Sequence, residues 1–241
     1  MHATSTIPPA FRSKLRESLR GCRLFQGMTE SELCELEGLC VRVRLRRFEN
    51  VWKVGDRATS FHVLLEGLVE LRRPAGGYDA TVMAIFGPTE CLAVPVALTR
   101  GVYGAAAVVV SEHAVLLTIH AAPLLERMGR DVRLAMAFNA ALLEQVQLLH
   151  RKIDVMSAGT VQQRLLRFLF DLADRFGDEF EDGEIQIPFS LSREQIAHYV
   201  NARVETVIRA LSAWRKEGLI EFRPGAIVFP RGEAIRETLA A

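Results

Sequence analysis

The sequence lacks an excess of either charge: 30 lysines and arginines stand against 29 aspartates and glutamates, a net charge of +1 over 241 residues. A chain that held a polyanion across its whole surface would carry a strong cationic bias, so any nucleic-acid surface must be local. Long apolar runs are missing too, since no stretch offers the roughly 18 uninterrupted apolar residues that a membrane span needs. The most apolar run, Val102 to Ile119, is broken by Ser111, Glu112 and His113 and reads as buried strands. Met1 to Ala10 has no basic segment leading into an apolar core, so the expected location is cytoplasmic, away from any membrane. Cysteine is scarce, at Cys22, Cys34, Cys40 and Cys91, and no CxxC pair occurs, which argues against a structural disulfide framework. Also absent are a phosphate-binding glycine loop, HExxH and the GxSxG elbow, so no catalytic residue and no metal site is assigned and the chain reads as a non-enzyme.

What is present is an ordinary globular composition, 49% hydrophobic and 24% charged, in a chain longer than one typical domain. Phe11 to Leu39 looks helical with an interruption near Gly27, and Thr29 or Ser31 can cap a second helix over Glu32 to Leu39. From Val41 to Ile119, β-branched and leucine-rich runs alternate with turn signals at Gly55-Asp56, Glu66-Gly67, Gly76-Gly77, Gly87-Pro88 and Gly101. Short, evenly spaced strands of this kind predict an antiparallel roll, and residues 1–123 are taken as that domain with its leading helices. Residues 124–157 then read as one long helix, Leu124 to Met156, with no proline and the single glycine Gly129. Leu142, Val146, Leu149, Ile153 and Met156 alternate spacings of four and three along it, the period of a coiled-coil seam, which suggests a homodimer. Packing of the same stripe on its own roll is the alternative.

Residues 158–241 form the second predicted domain: a helix Val161 to Phe176, an acidic loop Gly177 to Glu184, a strand Ile185 to Phe189, two helices within Ser190 to Gly218, and a hairpin Leu219 to Pro230 around Pro224-Gly225. In the helix pair Ala197 suits a close crossing, and Asn201, four residues on, suits a left-handed turn residue. Ile196, Val200, Val207, Ala210 and Leu211 supply the apolar contact. If the second helix starts near Val204, then Glu205, Ile208 and Arg209 share its outward face, with Arg203 and Thr206 at its entry. An arginine at a helix N-terminus is electrostatically awkward, and a phosphate would relieve it, so the pattern points to DNA more than to a structural hairpin.

The order of roll, long helix and winged helix, with Val54-Gly55-Asp56, Leu64-Leu65-Glu66-Gly67, Val204-Glu205-Thr206-Val207-Ile208-Arg209-Ala210-Leu211 and Lys216-Glu217-Gly218-Leu219-Ile220, resembles the CRP/FNR family of bacterial transcription regulators from about Leu24 to Phe229. The resemblance implies an α+β fold: an N-terminal antiparallel β-roll like a cyclic-nucleotide-binding domain, acting as sensor, then a long dimerisation helix and a C-terminal winged helix-turn-helix. It implies double-stranded DNA and RNA polymerase as partners, with Glu205 and Arg209 reading a TGA core. Val204-Glu205-Thr206 resembles the FNR branch, which usually has serine where this chain has Ile208.

In the CRP branch a Gly-Glu pair and an Arg-Ser or Arg-Thr pair hold a cyclic nucleotide. Here Ala93-Val94 and Gly104-Ala105 fall at those places, so cyclic AMP is not expected. An iron-sulfur cluster of the FNR type needs closely spaced N-terminal cysteines, yet Cys22, Cys34 and Cys40 lie 12 and 6 apart, and small core residues are the plainer reading. Haem would need an axial ligand such as His62, His113, His120 or His150, none of them set in a haem motif. Ala93-Val94-Pro95-Val96-Ala97-Leu98 and Tyr103-Gly104-Ala105-Ala106-Ala107 resemble the nitrogen-oxide-responsive branch, which leans the signal toward redox or gas. The competing function is a module that binds a small organic effector and acts through protein partners. Activation and repression stay equally open.

Overall fold

The computed structural model describes residues 16–74 and 80–232. Met1 to Ala10, the opening of the helix expected from Phe11, and the Gly76-Gly77 turn lie outside the described residues. The chain divides into two compact units, Met1–Leu148 and Leu149–Ala241.

The first unit opens with α1, described over residues 16–21, and α2 (Glu30–Glu37), whose cap is Thr29: its hydroxyl accepts from the Glu32 N–H and the Glu32 carboxylate accepts in return from the Thr29 N–H. Strands β1 (Cys40–Arg46), β2 (Asn50–Trp52), β3 (Ser60–Glu66), β4 (Val69–Pro74), β5 (Ala80–Phe86), β6 (Cys91–Leu92), β7 (Ala106–Val109) and β8 (His113–His120) form two antiparallel sheets, ordered β1-β8-β3-β6 and β2-β7-β4-β5. Successive side chains of a strand point to opposite faces, and both faces of β3 and β8 are covered. Leu64, Ala114 and Leu116 meet Trp52, Phe86, Tyr103 and Val109 between the sheets. Phe61, Val63, Leu117 and Ile119 meet the helical layer through Phe25, Leu33, Leu124 and Phe138. That double coverage is why these strands read as nearly continuous apolar runs. Gly67 turns the chain after β3 at φ +88°, where a Cβ would stand 2.2 Å from the His113 carbonyl oxygen, so no other residue fits.

Two expectations fail here. The segment 94–98 is a short helix, α3 (Val94–Leu98), and not a strand; Pro95 sits in its first turn, where a missing N–H costs nothing, and Ala93 enters it at φ 67°. The helix expected over Leu124 to Met156 is two helices, α4 (Ala121–Met128) and α5 (Val132–Ser157). Gly129 caps the end of α4, and Asp131 starts a new helix by accepting from the N–H groups of Arg133 and Leu134 at 3.0 and 3.2 Å. Those bonds, the one to Leu134 foremost, hold the Asp131 carboxyl below the usual range. The signal was in the sequence: a C-terminal glycine followed two residues later by an N-cap aspartate.

The second unit contains α6 (Val161–Phe176), β9 (Asp178–Glu179), β10 (Ile185–Ile187), α7 (Arg193–Val200), α8 (Val204–Lys216), β11 (Glu221–Arg223) and β12 (Ala226–Phe229). The strands make one sheet, β11-β12-β10-β9, and one of them, β9, lies inside the segment expected to be an acidic loop, pairing with β10 beyond it. Pro188 stops β10 short of the expected Phe189, because proline has no ladder donor. Among the described residues no helix is long and apolar enough to cross a membrane.

Candidate nucleic-acid interface

Helix α7 is nucleated locally. The Ser192 hydroxyl accepts from the Gln195 N–H, and the Gln195 side chain accepts from the Ser192 N–H at 2.6 Å. It stops at Asn201, which stands at φ 50°, ψ 61°, the left-handed conformation an asparagine tolerates. Ala197 is fully buried where the helices cross, and Ile196, Val200, Val207, Ala210 and Leu211 close the contact around it. Arg164 of α6, which sequence reasoning missed, donates to the carbonyls of Val200 and Asn201 at 2.8 and 3.2 Å and so braces the turn. Nothing in local spacing marks that arginine, because its partners lie 36 and 37 residues away. Tyr199 stacks on Phe168 at 4.1 Å, and Lys152 donates to the Tyr199 carbonyl.

The orientation of α8 follows from what it buries. With Val207, Ala210 and Leu211 turned inward, Glu205, Ile208 and Arg209 stand outward, and Ile208 is 45% exposed. Arg203 is the N-cap residue and its side chain makes no capping bond; Thr206 is half-buried one turn in. All five predicted positions therefore lie at the start of one helix or along its open side. Among the described residues nothing pairs with Arg203, Glu205 or Arg209, so the brace that a spacing of four allows between Glu205 and Arg209 is not formed in the free chain. Across the sheet Arg223 is committed elsewhere, donating to both carboxylate oxygens of Glu184 at 2.7 and 2.8 Å.

Of the predicted seam, Leu142 packs against the helical-layer core of the first unit, Val146, Leu149 and Ile153 are exposed, and Met156 is half-buried. The apolar residues that α5 leaves open are Val132, Met136, Leu143, Val146, Leu149 and Ile153, with Leu143 62% and Ile153 60% exposed. From Val132 to Ile153 this stripe keeps steps of four and three if Asn139 is counted in it.

In the roll, Ala93, Gly104 and Ala105 line one cavity of about 210 Å³ together with Trp52, Phe86 and Tyr103. Its polar side chains are those of Arg73 and Gln145, besides the Tyr103 hydroxyl and the indole N–H; Gln145 Nε2 is engaged with the Cys91 carbonyl, Tyr103 Oη with the Ser60 carbonyl and Trp52 Nε1 with the Ala105 carbonyl. None of the four candidate haem histidines lines it. His62 is buried, bonded through Nδ1 to Thr118 Oγ1 at 3.0 Å and stacked on Trp52; His120 meets Ser60; His113 approaches Glu66; His150 is exposed. Burial lowers the His62 imidazole to about 4. The folded chain thus keeps it neutral while the unfolded chain protonates it below 6.5, so its contribution is complete above pH 6.5 and is lost as pH falls toward 4. The loss reaches about 3 kcal/mol at the acid end. Thermal midpoints measured across that window should fall for the natural chain and fall less steeply for His62→Phe; equal slopes would place the acid sensitivity in another group.

Cys22, Cys40 and Cys91 are buried, as small core residues would be, but Cys34 is exposed. Burial pushes the Cys40 thiol up to about 12. Among the described residues no three histidine, cysteine or acidic side chains gather as a metal site. What the fold does bring together is Cys22 and Cys91, Sγ to Sγ 3.0 Å.

Residues 163–238 match the family described as a Crp-like helix-turn-helix domain. The nitrogen fixation regulation protein FixK of Azorhizobium caulinodans is 30% identical over 105 residues, which span 44% of this chain and 42% of FixK. A CRP-like cAMP-activated global transcriptional regulator of Mycobacterium tuberculosis is 24% identical over 229 residues, 91% of this chain and 97% of the relative. The structure of FixK2 from Bradyrhizobium japonicum superposes with a TM-score of 0.72 at 20% identity, covering 84% of this chain and 98% of FixK2.

Proposed function

We propose that the chain is a DNA-binding transcription regulator of the CRP/FNR family that acts as a homodimer reading a palindrome with TGA-containing half-sites about one helical turn apart. The observation that carries this reading is the outward side of α8, where Glu205 and Arg209 stand exposed and unpaired with Arg203 at the uncapped start. In this arrangement Arg209 donates two parallel bonds to a guanine, Glu205 accepts from a cytosine amino group, and Ile208 offers an apolar contact that suits a thymine methyl. Arg203 and Thr206, at the helix entry, lie against the phosphate backbone. Selection from a random duplex pool tests it: TGA half-sites in inverted repeat should be enriched, and a pool left unenriched would overturn the reading.

The proposed division of labour is a sensor roll over residues 1–123, dimerisation through the helix that starts at Val132, and DNA binding by residues 158–241. The exposed stripe of α5 supports the second part, since a wide apolar face at coiled-coil spacing is costly to leave in water. A dimer on DNA would act in the cytoplasm, with RNA polymerase as its partner. The signal we assign to the roll is redox, supported by the apposed buried thiols; haem-based gas sensing finds no histidine in the cavity.

A second reading has a specific observation behind it: the cavity beside Trp52 and Tyr103 suits a small, largely apolar organic effector. It does not suit cyclic AMP, although the mycobacterial relative is named for activation by it, because Ala93, Val94, Gly104 and Ala105 offer no charged or hydroxyl side chain to a ribose or cyclic phosphate. Calorimetry with cyclic AMP should show no binding and DNA affinity should not change; micromolar binding would mean that the phosphate is held by another group such as Arg73.

A further inference from the structure

We propose that Cys22 and Cys91 are a redox couple, closing to an intrachain disulfide when a hydroperoxide oxidises them and reopening by exchange with a dithiol, and that the change is transmitted to DNA affinity. The last step rests on the function proposed above; the thiol chemistry does not. The two residues are 69 apart in sequence, yet their sulfurs lie 3.0 Å from each other and both side chains are 1% exposed. A movement of roughly 1 Å brings them to disulfide length. The approach is prepared next door: a Cβ on Gly21 would stand 2.9 Å from Thr89 Cγ2, so glycine before Cys22 lets the end of α1 lie close against the turn that precedes Cys91.

The chemistry balances in two steps. The hydroperoxide transfers one oxygen to a thiolate, giving a sulfenic acid and releasing an alcohol or, from hydrogen peroxide, water. The neighbouring thiol then attacks that sulfur, forming the S–S bond and expelling a second water, so two thiols lose two hydrogens while the peroxide O–O bond is reduced. The side-chain bond with Cys22, and then burial, push the Cys91 thiol well up, which keeps it protonated at rest. Oxidation therefore waits for the segment 22–28 to open, and that segment is tied by single-turn bonds, from the Cys22 N–H to the Leu19 carbonyl, Phe25 to Cys22 and Met28 to Phe25. Once one sulfur is oxidised and the segment closes again, its partner returns to contact, and ring closure outruns further oxidation.

The couple is wired to a helix that matters. The Cys91 carbonyl accepts from Gln145 Nε2 of α5 at 2.7 Å, and two residues beyond Cys91 the backbone takes its left-handed turn at Ala93 into α3. Drawing Cys91 toward Cys22 displaces a hydrogen-bond partner of α5, the helix that carries the exposed apolar stripe.

The test uses the full chain, reduced and then treated with hydrogen peroxide under native conditions. Differential alkylation and peptide mapping should show two thiols lost, a cross-linked peptide pair containing Cys22 and Cys91, and recovery with dithiothreitol, while exposed Cys34 stays out of the link. Anisotropy with the palindrome should shift by about fivefold or more between the two states. Cys22→Ala and Cys91→Ala should each abolish that response. Persistence of both thiols, or a link made only after denaturation, would overturn the couple and leave a plain core contact. A disulfide without a change in affinity would overturn the transmission. A chain that binds the palindrome in neither state would overturn the DNA reading instead, with the couple still decided by mass.

Discussion

Arg209→Ala is expected to weaken discrimination between the palindrome and a scrambled duplex sharply while leaving the fold intact. The side chain is exposed and makes no bond among the described residues, so its loss removes no internal support. A bidentate arginine to guanine contact discriminates by about 1 to 3 kcal/mol, and a dimer makes it twice, so affinity for the palindrome should drop by roughly 30-fold to 10⁴-fold. Binding to the scrambled duplex, which depends on counterion release, should hardly move. Arg203→Ala should behave in the opposite way, weakening both duplexes alike and flattening the salt slope by about one unit per half-site. Titrations of the natural chain and both variants at several salt concentrations decide it. An equal loss for both duplexes with Arg209→Ala would make that arginine a phosphate contact and would take α8 out of the major groove.

The second large effect concerns assembly. Ile153 is 60% exposed in the single chain, so Ile153→Asp should cost the protomer little and leave its circular dichroism unchanged. In a dimer built on the α5 stripe the same substitution buries two unpaired carboxylates, a penalty of several kcal/mol, and dissociation should become at least about 100-fold easier. Sedimentation at micromolar concentration should then show monomers. Leu142→Asp should instead destabilise the protomer, because Leu142 packs on the core of the first unit. If Ile153→Asp still sediments as a dimer, the subunits meet through another surface.

The helix-turn-helix was legible because its determinants lie within one short stretch. Ala197 and Asn201 are four apart, the Ser192 cap acts on Gln195, and the inward and outward sides of α8 follow from a period of 3.6. The roll was legible as alternating strands and turns, and the α4–α5 break had its signal in Gly129 and Asp131. Less was readable where two answers share one pattern. Both sides of α5 are apolar, so periodicity marks Leu142 and Leu143 equally as candidates; packing decides, since Leu142 meets the roll's core and Leu143 meets solvent.

By itself, then, the sequence determined most of the elements and the chemistry offered on the recognition helix, which depend on neighbours within a turn or two of chain. Tertiary structure alone decided the contacts between distant segments: the Arg164 brace on the α7–α8 turn, the His62–Trp52–Tyr103 stack beside the cavity, and the meeting of Cys22 with Cys91. No local pattern encodes such meetings, because they arise when separate apolar faces are buried together, and each face specifies only that it must be covered.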